Sequence, residues 1–258
     1  MKIGAQLYSV HPFTQTEADF DSTVKKIAGM GYLYVQVSGI GDIAADAVRK
    51  VCDRHGVRII ITHTDPERIL NDTEAVIEDH GIMGAGYVGI GGIPDRYRGG
   101  LLSLNKFIDD YTPAAQKTRD AGMRLMYHNH NYEFLAYDGK LIIDRIAEGF
   151  PKELLGFTLD TYWVQAGGGD PAHYLKKFAG RVDTIHFKDM KMFMDPDGDI
   201  IQINSEVLDG NLNWPAIFGA CAEAGVEYAF IEQDDEYMTD PFNSLKISYD
   251  NLVRRGII

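Results

Sequence analysis

The chain has 258 residues, 45% of them hydrophobic, and a formal net charge of −13. This length and composition suit one enzyme-sized domain with a sizeable core, and we expect residues 1–258 to form it. The acidic balance, without a basic stripe, disfavours a surface that binds the phosphates of DNA or RNA.

Short apolar runs recur along the chain, and most of them follow a glycine that ends a helical pattern. The runs are nearly continuous in apolar residues, which is typical of parallel strands covered on both faces. The stretches between them carry helical spacing, as at Phe20, Val24 and Ile27. The eight candidate strands are Ile3–Leu7, Tyr32–Val37, Val57–His63, Tyr87–Ile90, Met123–His128, Phe157–Asp160, Arg181–His186 and Val226–Glu232.

Eight strand–helix units without a linker favour a closed (β/α)8 barrel, a TIM barrel of the α/β class, over an open doubly wound sheet. The N-terminus, MKIGAQLYSV, enters the first strand directly and carries no apolar leader. We therefore expect no secretion and a cytoplasmic location. No run approaches the roughly 18 apolar residues of a membrane helix, so we expect no membrane partner.

Groups that bind metals or move protons stand at the ends of several predicted strands. Asp160, His186 and Glu232 each end a different apolar run. The carboxyl ends of barrel strands meet at one mouth, where barrel enzymes build their active sites. One buried carboxylate there is usually a helix cap, but three strands ending this way favour a divalent metal site. Oxygen ligands with one imidazole suit Mn²⁺ first, with Mg²⁺, Co²⁺ and Zn²⁺ as alternatives.

Two further motifs lie beside these ligands. His128 and His130 are two residues apart, so on a strand both can face the mouth. Lys188 shares a side with His186 and can bind a substrate oxygen or stabilise an enolate charge. The alternative for Lys188 is a surface salt bridge with Asp189.

A glycine motif from Gly39 to Ala44 matches the pattern GxGxxA of dinucleotide sites. That fingerprint belongs in the first strand–helix turn, with an acid at the end of the next strand. Here the next strand ends in His63. We interpret the motif as a barrel loop and expect no nicotinamide cofactor.

Several of these motifs occur in a family order that spans nearly the whole chain. The stretches are Gly4–Ser9, Tyr127–Phe134, Leu159–Thr161, Ala166–Pro171, His186–Asp189, Glu206–Trp214 and Ile231–Asp234. In these stretches the chain resembles the xylose isomerase-like superfamily of metal-dependent (β/α)8 barrels. That superfamily includes sugar epimerases, inosose dehydratase, dehydroshikimate dehydratase and endonuclease IV.

The resemblance implies a metal held by a glutamate near the fifth strand together with Asp160, His186 and Glu232. This chain has His128 where many members end that strand in Glu, so the fourth ligand is Glu133 or His128. Epimerases of the family use two facing glutamates as bases, and only Glu232 clearly matches one.

The function that we expect is a metal-dependent sugar isomerase or epimerase, which transfers a proton next to a carbonyl through a metal-bound enediolate. Glu232 or Glu133 is the expected base, with His128, His130 or Lys188 as its acid partner. The alternative is a dehydratase or lyase that acts on a keto-sugar or keto-inositol. An apurinic endonuclease-like enzyme and a non-catalytic sugar-binding barrel rank below both.

The expected partner is a small sugar or sugar derivative, and we expect no nucleic-acid partner. The sequence leaves open whether the chain forms a homo-oligomer. Trp163 stands where some sugar epimerases of the family carry a substrate-binding histidine. We expect the substrate to contact Tyr8, His63, Trp163 and Glu206.

Overall fold

Eight parallel strands close into a barrel in a computed structural model that describes residues 1–233 and 240–258. Neighbouring strands pair in chain order, and the last strand pairs with the first. The predicted (β/α)8 barrel is thereby confirmed, whereas a single domain over residues 1–258 stays a prediction. The strands are β1 Lys2–Gln6, β2 Tyr34–Val37, β3 Arg58–Thr64, β4 Tyr87–Ile90, β5 Arg124–His128, β6 Leu155–Asp160, β7 Thr184–Phe187 and β8 Tyr228–Ile231.

Helices surround the barrel and return the chain from each strand to the next. Several begin at an Asp or Asn whose side chain accepts a backbone N–H of the first turn, which is the usual way to satisfy that end. The α-helices span Glu17–Met30, Ala45–Arg54, Pro66–Asn71, Thr73–Met83, Leu101–Asp120, Ile142–Gly149, Thr161–Ala166, Pro171–Lys177, Trp214–Ala224 and Pro241–Arg254.

Short insertions decorate the carboxyl end of the barrel. The longest is an antiparallel hairpin of Asp189–Met194 with Ile200–Ser205, directly after β7. A smaller hairpin pairs Ala136–Tyr137 with Lys140–Leu141. Short 3-10 helices span Leu7–Phe13, Asp95–Tyr97 and Tyr132–Phe134.

The barrel interior is apolar in its lower half and polar at its mouth. Met126 and Phe230 are fully buried in an apolar cluster inside the barrel. Side chains of a strand alternate between its two faces, so residues two places further on also point inward. His128 and Glu232 occupy those next inward places, on β5 and just after β8. The strand register therefore places His128 and Glu232 directly above the apolar side chains of Met126 and Phe230.

Within the described residues, no helix is long and apolar enough to cross a membrane.

His80 gives the fold a pH dependence that is separate from the mouth. It is 1% exposed, its Nδ1 lies 2.7 Å from the Val76 carbonyl oxygen, and its Nε2 lies 2.8 Å from Thr62 Oγ1. Burial lowers the pKa of His80 below its ordinary 6.5. Below that pH the unfolded chain takes up a proton that the folded chain resists, so stability falls as pH falls, by up to about 1.4 kcal/mol per pH unit.

We expect His80→Gln to be less stable than wild type at pH 7.5, with a gap that narrows towards pH 5.5. Glutamine loses part of the hydrogen bonding but carries no proton-linked cost. Urea unfolding at several pH values measures the gap, and the same substitution at exposed His173 is the control. A gap that stays constant or widens at low pH would contradict this assignment.

Candidate active site

Four side chains at the mouth converge on one point inside the barrel. They are His128, Asp160, His186 and Glu232, all buried, and each offers a ligand atom within 4.8 Å of the others. They come from the ends of β5, β6, β7 and β8, as the strand pattern predicts for three of them. His128 takes the fourth place in this group.

The two imidazoles are oriented by hydrogen bonds on their far nitrogens. His128 Nδ1 lies 3.1 Å from the Gly91 carbonyl oxygen, and His186 Nε2 lies 2.8 Å from Gln36 Oε1. Both acceptors are oxygens, so each imidazole donates through that nitrogen and turns the lone pair of the other inward. Each histidine is thus oriented to turn an unprotonated nitrogen towards a metal ion at the centre, which is the form that binds a metal.

The atoms at the centre are short of hydrogen-bond partners. His186 Nδ1 lies 2.7 Å from Glu232 Oε2 and 3.6 Å from Asp160 Oδ2. Both His186 Nδ1 and Glu232 Oε2 are buried without a hydrogen bond of good geometry. Two carboxylates facing two imidazole lone pairs are costly to bury unless a cation joins them. The described residues therefore fit a divalent metal ion.

The pKa values of His186 and Glu232 reflect the close approach of charged groups at the centre. Burial would lower the pKa of His186, but the adjacent Glu232 and Asp160 raise it to about 9. Burial would raise the pKa of Glu232, but Lys188 and His186 hold it well below its usual range. In the absence of an ion, a proton on His186 thus plays part of the cation's role.

Asp160 has two structural tasks besides its place at the centre. Its Oδ1 accepts the Trp163 N–H at 2.9 Å and caps the helix Thr161–Ala166. Its own N–H donates to Asn129 Oδ1 at 3.0 Å. The carboxylate is therefore held in one orientation, with Oδ2 towards His128 and His186.

The structure places Glu133 away from the metal ligands. Its buried carboxylate accepts the Tyr127 hydroxyl at 2.5 Å and the His130 backbone N–H at 2.8 Å. Burial raises the pKa of Glu133 to about 7, against the opposing effect of these two donors. In this arrangement Glu133 fixes the loop that carries His130, and His128 fills the place that sequence reasoning gave first to Glu133.

A cleft of about 690 Å³ opens above the four ligands. Its lining includes most of the side chains predicted to meet substrate, namely Tyr8, His63, His128, His130, Trp163, Lys188 and Glu232. Glu206 is not part of this lining. Its carboxylate accepts the Ser244 hydroxyl of the last helix at 2.9 Å, so the structure does not bring it to the cleft.

Lys188 lies in the floor of the cleft and is 1% exposed. Its ammonium lies 5.2 Å from the centre of the Trp163 ring. Asp189 is also buried, and its carboxylate accepts the Trp214 indole N–H at 2.5 Å and the N–H groups of Leu208 and Gly210. The alternative of a surface salt bridge between Lys188 and Asp189 is therefore wrong.

Sequence reasoning missed Gln36, the partner of His186. Gln36 is fully buried on β2, inside the run Tyr32–Val37. An amide in an otherwise apolar inward row was the available signal, because a buried amide needs a polar partner. Asp234, part of the last matching stretch, lies outside the described residues.

Comparison with solved structures agrees with the geometry of the barrel. A sugar phosphate isomerase/epimerase from Parabacteroides distasonis ATCC 8503 superposes with a TM-score of 0.80 at 22% identity, over 97% of this chain and 93% of that one. The probable 3-DHS dehydratase AsbF of Bacillus anthracis gives a TM-score of 0.73 at 12% identity, over 99% of this chain and 100% of that one. At these identities the likeness shows the fold.

Sequence comparison identifies the family as well as the fold. A segment of 84 residues is 31% identical to the inosose dehydratase of Geobacillus kaustophilus strain HTA426 and covers 33% of this chain and 27% of that protein. The family model for xylose isomerase-like TIM barrels matches residues 24–246. This match extends over most of the barrel, and the chain belongs to the family of xylose isomerase-like TIM barrels.

Proposed function

We propose that the chain is a metal-dependent enzyme of the sugar isomerase or epimerase type, which moves a proton at the carbon beside a substrate carbonyl. The observation that carries this proposal is the buried group of His128, Asp160, His186 and Glu232 at the base of an open cleft. Two imidazoles and two carboxylates suit a divalent transition-metal ion, and Mn²⁺ is the ion that we propose to test first. The sugar isomerase/epimerase named above is similar over nearly its whole length.

The division of labour follows from what each side chain can do. A bound divalent cation polarises the substrate carbonyl and its neighbouring hydroxyl. Glu232 lines the cleft as a carboxylate and takes the proton from the adjacent carbon. The ammonium of Lys188, in the same floor, offsets the negative charge that develops on oxygen. Return of the proton by Glu232 to the neighbouring carbon, together with transfer of the hydroxyl proton from one oxygen to the other, completes an isomerisation with one base.

A dehydratase or lyase is the second candidate, and the position of the acids favours it. Glu133 is bound to Tyr127 and His130, and Glu206 is bound to Ser244. Neither faces Glu232 across the cleft in the way that a two-base epimerase requires. With Glu232 as base, Lys188 can give a proton to a departing hydroxyl or sugar, whereas burial lowers the pKa of His130 to about 3 and leaves it a neutral hydrogen-bonding group. The inosose dehydratase likeness points to the same chemistry over a third of the chain.

Deuterium exchange tests the proton transfer that both candidates share. Ketoses and keto-inositols are incubated in D₂O with the Mn²⁺-loaded protein and followed by NMR. We expect incorporation beside the carbonyl that stops when EDTA removes the metal. Exchange that persists at the same rate after complete removal of metal would contradict the proposal.

The hydrogen bond from His186 to Gln36 predicts that Gln36 contributes to metal affinity. Gln36→Leu removes the acceptor that fixes the inward lone pair of His186. Loss of such an outer partner costs about 10- to 100-fold in metal affinity. We expect a change of this size in the Kd for Mn²⁺, measured by titration calorimetry.

Gln6 supplies a matched control for Gln36. It is also fully buried, lies on the neighbouring strand and pairs with Gln36 in register. Its side chain accepts the Tyr8 N–H at 3.2 Å rather than a bond from His186. We expect Gln6→Leu to retain wild-type metal affinity. Equal losses in the two variants would show a general packing effect instead.

A further inference from the structure

Four helix starts around the barrel are already occupied by aspartate carboxylates. Phosphates commonly bind at helix N-termini, where free backbone N–H groups point outward. In helices that follow β3, β6 and β8, an aspartate accepts a first-turn N–H at 2.9–3.0 Å. Three of these helices also begin with proline, which has no N–H to offer. The capping aspartates are Asp65, Asp160, Asp170 and Asp240.

The cations of the cleft already face carboxylates of the protein. Among the lining residues that the structure describes, the basic side chains are Arg98 and Lys188. Arg98 Nη1 lies 2.8 Å from Asp95 Oδ1, and its Nε donates to the Ile93 carbonyl at 3.0 Å. Lys188 lies in the floor beside the two carboxylates of the metal centre, where its charge acts on both.

The rim of the cleft is acidic. Asp65, Glu67 and Asp95 line its upper part. Arg96 pairs with Glu67 and Arg98 pairs with Asp95, so these two carboxylates already have their cations, and the described part of the rim offers a phosphate dianion no basic clamp.

The walls offer neutral hydrogen-bonding groups instead. His63 Nε2 and His130 Nδ1 are buried without a hydrogen-bond partner among the described residues, and both rings line the cleft. A neutral imidazole provides one donor and one acceptor, which matches a sugar hydroxyl. The loop Gly91-Gly92 packs against both rings, where a Cβ would lie 3.2–3.3 Å from their atoms. The glycine loop therefore packs against one side of each imidazole ring.

We propose that the substrate is an uncharged polyhydroxylated carbonyl compound, without a phosphate group, whose hydroxyls are bound by His63 and His130. This inference rests on the proposed function for the position of the carbonyl at the metal centre. Trp163, whose ring lies 5.3 Å from His130, supplies an apolar wall for the C–H face of such a molecule.

Matched pairs of ligands test the charge of the substrate. D-fructose is compared with D-fructose 6-phosphate, and D-xylulose with D-xylulose 5-phosphate, by equilibrium binding to the Mn²⁺-loaded protein. Inorganic phosphate is measured separately, because it can bind the ion directly. We expect the neutral sugars to bind and their phosphorylated forms to bind no more tightly. A phosphorylated form that binds about tenfold tighter than both its neutral partner and inorganic phosphate would overturn the inference. Failure of every neutral ketose to bind up to its solubility would overturn it as well.

Two variants test the imidazoles. His63→Phe and His130→Phe keep the ring volume but remove the hydrogen bonds, and we expect each to weaken neutral-sugar binding about tenfold. Metal affinity and circular dichroism are measured alongside, and His173→Phe on the exposed surface is the control. Sugar binding that is unchanged in both variants would refute their role.

The proposed reaction and the inferred class of ligand are tested by different outcomes. If neutral sugars bind but no deuterium is exchanged, the proposed reaction is wrong and the inferred ligand class stands. If exchange depends on metal but favours phosphorylated sugars, the reaction stands and the inference on charge is wrong.

Discussion

Asp160→Asn and His186→Ala are expected to lose bound metal and catalytic activity together while they keep the fold. Each removes one ligand of a buried four-residue group. Because loss of an outer partner alone costs about 10- to 100-fold in affinity, we expect the Kd for Mn²⁺ to rise by more than about 100-fold. Metal content after dialysis and deuterium exchange are the two measurements.

Asparagine is chosen at position 160 because its amide oxygen can still accept the Trp163 N–H and cap the helix. Asp170→Asn is the control, since Asp170 also caps a helix but is exposed and absent from the cleft lining. We expect the control to bind metal like the wild type. Full metal occupancy in Asp160→Asn and in His186→Ala would show that the group is not a metal site.

Glu232→Gln is expected to abolish deuterium exchange beside the substrate carbonyl. The amide keeps the size of the side chain and one acceptor oxygen, but it cannot take a proton from carbon. Loss of a positioned base typically lowers the rate by about 10²- to 10⁴-fold. Glu232 is also within the metal group, so rates are compared at saturating Mn²⁺ with metal occupancy measured.

Glu133→Gln discriminates between the two candidate bases. Its carboxylate is bound to Tyr127 and the His130 N–H, so we expect a much smaller loss of exchange in this variant. Complete loss in Glu133→Gln, with residual exchange in metal-loaded Glu232→Gln, would move the base to Glu133. Turnover of a substrate by the wild type without any exchange would instead favour a direct hydride shift.

The barrel was predictable because its signals are local and repeated. Continuous apolar runs mark all eight strands, most of them directly after a glycine, and the structure confirms a strand at each. Alternation along a strand then determines that His128 and Glu232 share the interior with the apolar residues Met126 and Phe230 below them. The convergence of Asp160, His186 and Glu232 follows from closure of the barrel, which the eight strand–helix repeats indicate.

The identity of the fourth group at the centre was beyond local reasoning. Glu133 lies only five residues after His128, and either could reach the centre by sequence distance alone. The structure decides through side-chain geometry, because the Tyr127 hydroxyl and the His130 N–H both bind the Glu133 carboxylate. Hydrogen bonds of this kind depend on side-chain directions that no periodicity encodes.

Glu206 and Gln36 show the same limit of sequence-based prediction. Glu206 was predicted to be in the site and is not, whereas Gln36 was not predicted and contacts His186. Glu206 lies in a motif of the family, yet its loop packs on the last helix through Ser244 and Ser248. Gln36 belongs to no motif that was recognised, yet it orients His186 across the barrel over a separation of 150 residues. Contacts between distant strands require the register of the closed barrel, which only the structure supplies.

Crystals of the wild-type protein grown with Mn²⁺ would test the central claim most directly, through the anomalous scattering of the ion. The account predicts one anomalous peak, bonded to Asp160, His186, Glu232 and His128, with Glu133 still bound to Tyr127. A peak at another place, or an empty centre at saturating Mn²⁺, would contradict the account.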